Sequence, residues 1–221
     1  MRTGLIVPSS NTVMEPDFHR VLPQALLSTT RIFLEDVTRE AELRMLSEDL
    51  PHAIRLIRTT APDVVVFGCT SAGSLGTLQH DRALARQIAE ETGAIAVTIM
   101  RAVLDQLTAL ETRQLAILTP YEPELTASVA ASLAEGGFPA FHFAGMGIRE
   151  NLRIGHVSPA EIVAFAESQL NGLRPDALFL SCTNWRSVEA LDILRSRLGI
   201  PVIASNQCAI DAVRRLFSLR N

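Results

Sequence analysis

Two decapeptides, PDVVVFGCTS from residue 62 and PDALFLSCTN from residue 175, share a Pro-Asp pair, an apolar run and a Cys-Thr pair at one spacing. Each reads as a short buried strand that starts at a turn and hands over to small hydroxyl residues. Their recurrence at an offset of 113 residues points to an internal duplication. Two further echoes keep the same order along the chain. GLIVPSS from residue 4 matches LAILTPY from 115, and GAIAVTIMRAVLD from 93 matches GIPVIASNQCAID from 199.

Around these landmarks, short apolar runs alternate with longer stretches of helical period, the pattern of βα units on a parallel sheet. Strands are predicted at 3–8, 31–35, 63–68, 94–98, 114–118, 138–144, 176–181 and 201–204. Helices are predicted at 14–26, 40–59, 76–91, 100–110, 122–135, 159–171, 185–197 and 206–218. The expected fold is α/β, with two pseudo-symmetric parallel-sheet domains and an active site in the cleft between them. The first half covers 1–111 and the second 112–221.

A composition of 48% hydrophobic and 20% charged residues supplies a core for such a fold. The net charge of −4 comes without a basic stripe, which argues against a nucleic-acid partner. No apolar run reaches membrane-spanning length, and the start, MRTGLIVPSSN, is too short for a signal-peptide core. With three cysteines, any disulfide scheme leaves one over, so the expected setting is the cytoplasm with reduced thiols. A homo-oligomer is the expected assembly.

All twenty basic residues are arginine. Without lysine there is no Schiff base for pyridoxal phosphate. GCTSAGSL opens like a phosphate-binding loop but has Ser74 where the lysine belongs. The histidines at 19, 52, 80, 142 and 156 form no ligand pair, and GMGIRE lacks a dinucleotide fingerprint. The expectation is chemistry without metal or cofactor.

That leaves the thiols. A cysteine alone usually serves as a small buried hydrophobe, yet Cys69 and Cys182 recur at matching strand ends, where open parallel sheets bind ligands. Packed face to face, two halves would set one thiol on each side of a small substrate. Thr70, Ser71 and Thr183 follow the cysteines and bring hydroxyls and N–H groups suited to an anion. A helix start there is also expected to lower the thiol pKa. Ser9, Ser10 and Asn11 after the first strand, and Tyr121 after the fifth, are further candidates. Asn11 could equally cap a helix, Tyr121 could lie on the surface, and Trp185 could either line the pocket or pack. Cys208, matched by Ala102, reads as structural.

GLIVPSSNTVMEPDF, FGCTSAG, TPYEPE, GIRENLRIGHVSP and SCTNWRSVEALD with RLGIPVIASNQ resemble the maleate isomerase and arylmalonate decarboxylase branch of the aspartate/glutamate racemase superfamily. The resemblance runs along nearly the whole chain. It implies a cleft between two domains and cofactor-free chemistry at a carbon beside a carboxylate. It also implies that a C-terminal segment, about 204–221, returns to the first domain. By position, Cys69 would be the nucleophile or first base and Cys182 the opposing acid. Asn11, Tyr121 and Asn151 would hold the carboxylates, with Thr70 and Ser71 in an oxyanion-binding turn. Arylmalonate decarboxylases lack the first thiol, so two thiols favour isomerase or racemase chemistry. Maleate-to-fumarate isomerisation through a Cys69 thioether leads. Amino-acid or hydantoin-like racemisation follows, then malonate decarboxylation, with a carboxylate-binding module as the non-enzyme rival.

Overall fold

A computed structural model describes residues 1–218, so the last three residues of the expected 204–221 segment lie outside the described residues. Two four-stranded parallel sheets form the frame. The first is ordered β2-β1-β3-β4 and the second β6-β5-β7-β8. The strands are β1 (Arg2–Pro8), β2 (Leu26–Ile32), β3 (Val64–Phe67), β4 (Ile95–Thr98), β5 (Leu115–Thr119), β6 (Ala140–Gly145), β7 (Ala177–Leu180) and β8 (Val202–Ala204). Within each half the strand order is the same, as duplication requires.

The repeated residues perform repeated tasks. The Asp63 carboxylate accepts from the Arg2 N–H at 2.8 Å, and Asp176 accepts from the Arg113 N–H at 2.8 Å. Each aspartate of a Pro-Asp pair thus ties the start of its own strand to the strand beside it. Gly93 and Gly199 end the helices before β4 and β8 in the left-handed conformation, with φ of 71° and 67°, where a Cβ would be strained.

In the first half the helices are α1 (Met14–Val21), α2 (Arg39–Arg44), α3 (Leu50–Arg58), α4 (Thr70–Gly73), α5 (Leu78–Thr92) and α6 (Ile99–Ala109). In the second they are α7 (Pro123–Glu135), α8 (Asn151–His156), α9 (Pro159–Gln169), α10 (Ser187–Leu198) and α11 (Ser205–Ser218). A π-helical turn, Met45–Asp49, joins α2 to α3. It resets the helical phase, so that α3 turns Leu50, Ala53, Ile54 and Ile57 inward. α11 crosses back and packs against α6 and α1. One continuous core links both sheets through these helices. A second core fills the outer face of the first sheet, where Ile6, Val65 and Phe67 meet α3 and α5.

Three sequence expectations need correction. The helix expected over 14–26 ends at Val21, and the strand expected at 31–35 occupies Leu26–Ile32. β2 carries Ser28, Thr29 and Thr30; it is an edge strand, and such strands accept polar residues. The helix expected over 40–59 is interrupted by the π turn. The short helices α4 and α8 had no periodic signal long enough to read.

Candidate active site

β3 and β7 end two residues before Cys69 and Cys182, and both cysteines are 4% exposed. The two thiols line one cavity together with Pro8, Leu34, Val37, Thr70, Ser71, Tyr121, Asn151 and Thr183. Gly68 is required beside it: a Cβ there would stand 2.4 Å from the Met14 Sδ. The cavity measures about 10 Å³. That is room for about one water molecule, so a carboxylic acid enters only when the cover moves.

The cover comes from both halves. The segment after β2 and the segment after β6 meet in an antiparallel bridge between Asp36 and Glu150. Val37 N–H donates to the Arg149 carbonyl at 2.8 Å, and Asn151 N–H donates to the Glu35 carbonyl at 2.8 Å. An Arg149–Asp36 ion pair at 3.0 Å closes the outside. Half-exposed, that pair contributes little to stability. A few hydrogen bonds therefore hold Leu34 and Val37 over the thiols.

Each residue singled out by sequence can now be located. Thr70, Ser71, Tyr121, Asn151 and Thr183 meet at the cavity with both cysteines. Thr70 donates to the Ser205 hydroxyl at 2.9 Å, and Thr183 donates to the Gly68 carbonyl at 2.9 Å, which locks the second half onto the first. Ser9 and Asn11 do not line the cavity. Ser9 is exposed; its hydroxyl accepts from the Leu34 N–H at 3.0 Å and so anchors the cover. The Asn11 oxygen accepts from Val13 and Met14 N–H at 3.0 Å each, and its amide donates to Thr183 at 3.1 Å. Its capping reading is the one its contacts satisfy. Trp185 packs edge-on against Phe165, with ring centroids 6.5 Å apart.

The GMG of GMGIRE has a task of its own. Met146, Gly147 and Ile148 donate N–H groups to the carbonyls of Thr119, Tyr121 and Pro120 at 3.1, 3.0 and 2.9 Å. A Cβ on Gly145 would lie 2.2 Å from the Tyr121 carbonyl oxygen. The turn thus folds against the Tyr121 backbone and fixes it.

Electrostatics depart from the expected lowered thiol pKa. Burial pushes Cys69 well above the ordinary range, the nearby Glu42 adds to the rise, and the Ala72 N–H and Ser71 hydroxyl offset only part. Cys182 is pushed up to about 12 by burial, against hydrogen bonds from Tyr121 and from the Asn184 and Trp185 backbone. Tyr121 is raised as well, first by burial. α4 has only four residues, and desolvation of the thiolate outweighs what so short a helix supplies.

Sequence reasoning missed Glu42. It is fully buried on α2, and its Oε1 lies 4.0 Å from Cys69 Sγ and accepts a short hydrogen bond from the Ser71 hydroxyl. Burial raises its carboxyl to about 8, opposed by the Ser71 donor. A signal existed in REAELRM. Phased from Met45, three residues on, the inward stripe passes through Glu42 and leaves Leu43 outside, 45% exposed. A charged residue inward and a leucine outward is an inversion worth reading. Asn184 was also missed. Its side chain joins the Thr12 N–H at 2.8 Å to the Asn151 carbonyl at 2.7 Å across the cleft.

The arrangement therefore offers two protonated thiols, hydroxyl and amide donors for carboxylate oxygens, and a cover that excludes water. The profile of the arylmalonate decarboxylase family matches residues 3–220. The chain is 29% identical to the maleate isomerase of Nocardia farcinica, over 99% of this chain and 90% of that protein. It is also 29% identical to the arylmalonate decarboxylase of Bordetella bronchiseptica, over 96% of this chain and 88% of that protein. A solved structure of the Nocardia farcinica maleate cis-trans isomerase is a cysteine-to-serine mutant with a covalently bound succinylcysteine intermediate. It superposes with a TM-score of 0.91 at 24% identity, covering 98% of this chain and 92% of that one. Matched along all but its extreme ends, the chain belongs to the arylmalonate decarboxylase family.

Proposed function

We propose that the protein is a cofactor-independent maleate cis–trans isomerase. The observation that carries this reading is a pair of thiols, one from each half, lining one closed cavity. A decarboxylase has to deliver one proton after carbon dioxide leaves, and a single donor suffices. An isomerase that works by addition and elimination needs a nucleophile and a separate proton donor, and two cysteines supply both. The succinylcysteine of the Nocardia farcinica enzyme is the adduct expected from a thiol and maleate.

In this reading Cys69 is the nucleophile. Its thiolate adds to one alkene carbon of maleate, and the π electrons move toward the far carboxylate. Backbone N–H groups of Thr70, Ser71 and Thr183, with the Tyr121 and Asn151 side chains once they turn to the substrate, supply donors for the carboxylate oxygens, where the new charge collects. Cys182, kept protonated by burial, donates its proton to the adjacent carbon. The central bond of the resulting succinyl thioether is single and rotates. Return of that proton to Cys182 and expulsion of Cys69 release fumarate. The closed cover keeps competing water from the intermediate.

The reading includes the reducing cytoplasm as the setting, where a thiol nucleophile escapes oxidation, and a homo-oligomeric assembly. It divides the chain into a first unit, 1–111 completed by about 204–221, and a second beginning at 112. The packing of α11 on α6 and α1 supports that division.

Proton NMR of the protein with maleate in heavy water is the test. Growth of the fumarate signal is the expected result. An intact fold that leaves maleate unchanged would falsify the reading. Deuterium entering the α-carbon of a chiral acid, or bicarbonate released from a malonate, would move the assignment to another reaction of the same site.

A further inference from the structure

We propose that Glu42 is the proton acceptor that turns the Cys69 thiol into the attacking thiolate, with the Ser71 hydroxyl as the bridge. The inference rests on the reading of Cys69 as nucleophile. Three observations carry it. Glu42 Oε1 lies 4.0 Å from Cys69 Sγ, at the limit of a hydrogen bond to sulfur. The Ser71 hydroxyl stands 3.8 Å from the same sulfur and donates to that same oxygen. The other oxygen, Oε2, is buried with no hydrogen-bond partner among the described residues.

A buried carboxyl with one oxygen unsatisfied is costly, and its other oxygen, Oε1, lies beside a thiol that must lose a proton. Cys69 Sγ gives its proton to Ser71 Oγ, and Ser71 Oγ gives its own to Glu42 Oε1. Before the step the pair is thiol and carboxylate; after it, thiolate and carboxylic acid. The net charge is unchanged, so no second charge enters the dry cavity. Once the thiolate has added and been expelled, the proton retraces the path.

Charge balance argues the same way. Glu42 as an anion raises Cys69, Cys182 and Tyr121 alike, so Cys69 resists losing its proton while Glu42 stays charged. These three, with the Ser71 hydroxyl, are the groups that face Glu42. Arg39, on the same helix, is turned away to the Leu75 carbonyl at 2.8 Å. A carboxyl that titrates at about 8 sits close to working pH, where a general base is most effective.

The test is carboxamidomethylation of the full-length protein by iodoacetamide from mildly acidic to alkaline pH, with Cys69 and Cys182 followed separately by peptide mass spectrometry. Cys182 reports how often the cover opens. Cys69 in the wild type should show a bend near pH 8, where Glu42 ionises. In Glu42→Gln the bend should vanish and the Cys69 rate fall by about 10²-fold, with no fall at Cys182. In turnover, kcat should fall while KM holds, and Glu42→Asp should restore part of the rate. An unchanged Cys69 rate and bend in Glu42→Gln, or an equal loss at both cysteines, overturns the proposal. If Glu42→Gln does not fold, the wild-type profile decides: a smooth rise into the thiol range, with no bend, overturns it. Alkylation needs no maleate, so failure of the maleate reading would show separately.

Discussion

The two cysteines occupy matching places in matching halves, yet their surroundings share little. Cys69 faces a carboxylate and a serine hydroxyl supplied by α2 and α4. Cys182 faces the Tyr121 hydroxyl, and its sulfur accepts from the Asn184 N–H at 3.3 Å. α8, the short helix that follows β6 as α2 follows β2, reads NLRIGH and contains no carboxylate. Its Gly155 leaves space used by Thr12 and Asn184, since a Cβ there would stand 2.6 Å from the Thr12 Oγ1. Duplication kept the backbone devices, the Asp63 and Asp176 ties and the Gly93 and Gly199 caps, and the side chains around each sulfur diverged. One thiol stands beside a proton acceptor, the other among proton donors. In the proposed mechanism, that difference assigns the nucleophile to Cys69 and the acid to Cys182.

The sharpest way to break this comparison is to remove the sulfurs one at a time. Cys69→Ser should abolish maleate turnover, by at least about 10³-fold in kcat, and should form no adduct. Equal residual activity in Cys69→Ser and Cys182→Ser would make the two thiols interchangeable.

The carboxylate on one side alone should also mark stability. Burial raises the Glu42 carboxyl from its ordinary 4.5 to about 8, so the native state holds a proton that the unfolded chain releases earlier. Its burial therefore costs nothing below about pH 4.5, and the cost grows as pH rises to about 8. Glu42→Gln should be more stable than wild type by up to about 5 kcal/mol at alkaline pH, and the gain should disappear in acid. Urea unfolding at several pH values reads this. A pH-independent difference would contradict a buried, titrating carboxyl.

Tyr121→Phe should act on the other thiol. It removes the hydroxyl that hydrogen-bonds Cys182 and should slow turnover by about tenfold, leaving Cys69 alkylation as it was. A Cys69 effect equal to that of Glu42→Gln would dissolve the division of labour. The smallest expected effect is at the cover, which both halves build. Asp36→Asn breaks the exposed ion pair with Arg149 and should cost less than about 1 kcal/mol in stability. It should also raise the alkylation rates of both cysteines by the same few-fold factor.

Much of this was legible in the chain itself, for reasons that can be named. Strands such as Val64–Phe67 and Ala177–Leu180 are buried along their whole length and read as apolar runs. The Pro-Asp and Cys-Thr pairs marked the duplication because each has a fixed task at a strand end. Edge strand β2 was misplaced because its Thr-rich stretch needs no apolar face. Glu42 was easy to miss because its partners are 27 and 29 residues away, and its one trace, a carboxylate inward and Leu43 outward, lies in a helix of six residues. Asn11 and Ser9 carried the right signal for polar work, but that work is to hold α1, Thr183 and the cover. Local sequence shows that a polar residue is needed; which surface it faces depends on the docking of the halves. The lowered thiol pKa failed for a similar reason, since the depth of burial is a tertiary property.

Adduct mapping addresses the asymmetry most directly. Cys182→Ser protein is mixed with maleate, quenched in acid, digested, and its cysteine peptides weighed. A succinyl increment on the peptide holding Cys69, absent from Cys208 and from the Cys69→Ser protein treated alike, is the expected result. A succinyl group on Cys182 in the Cys69→Ser protein, with Cys69 unmodified in the other variant, would contradict it.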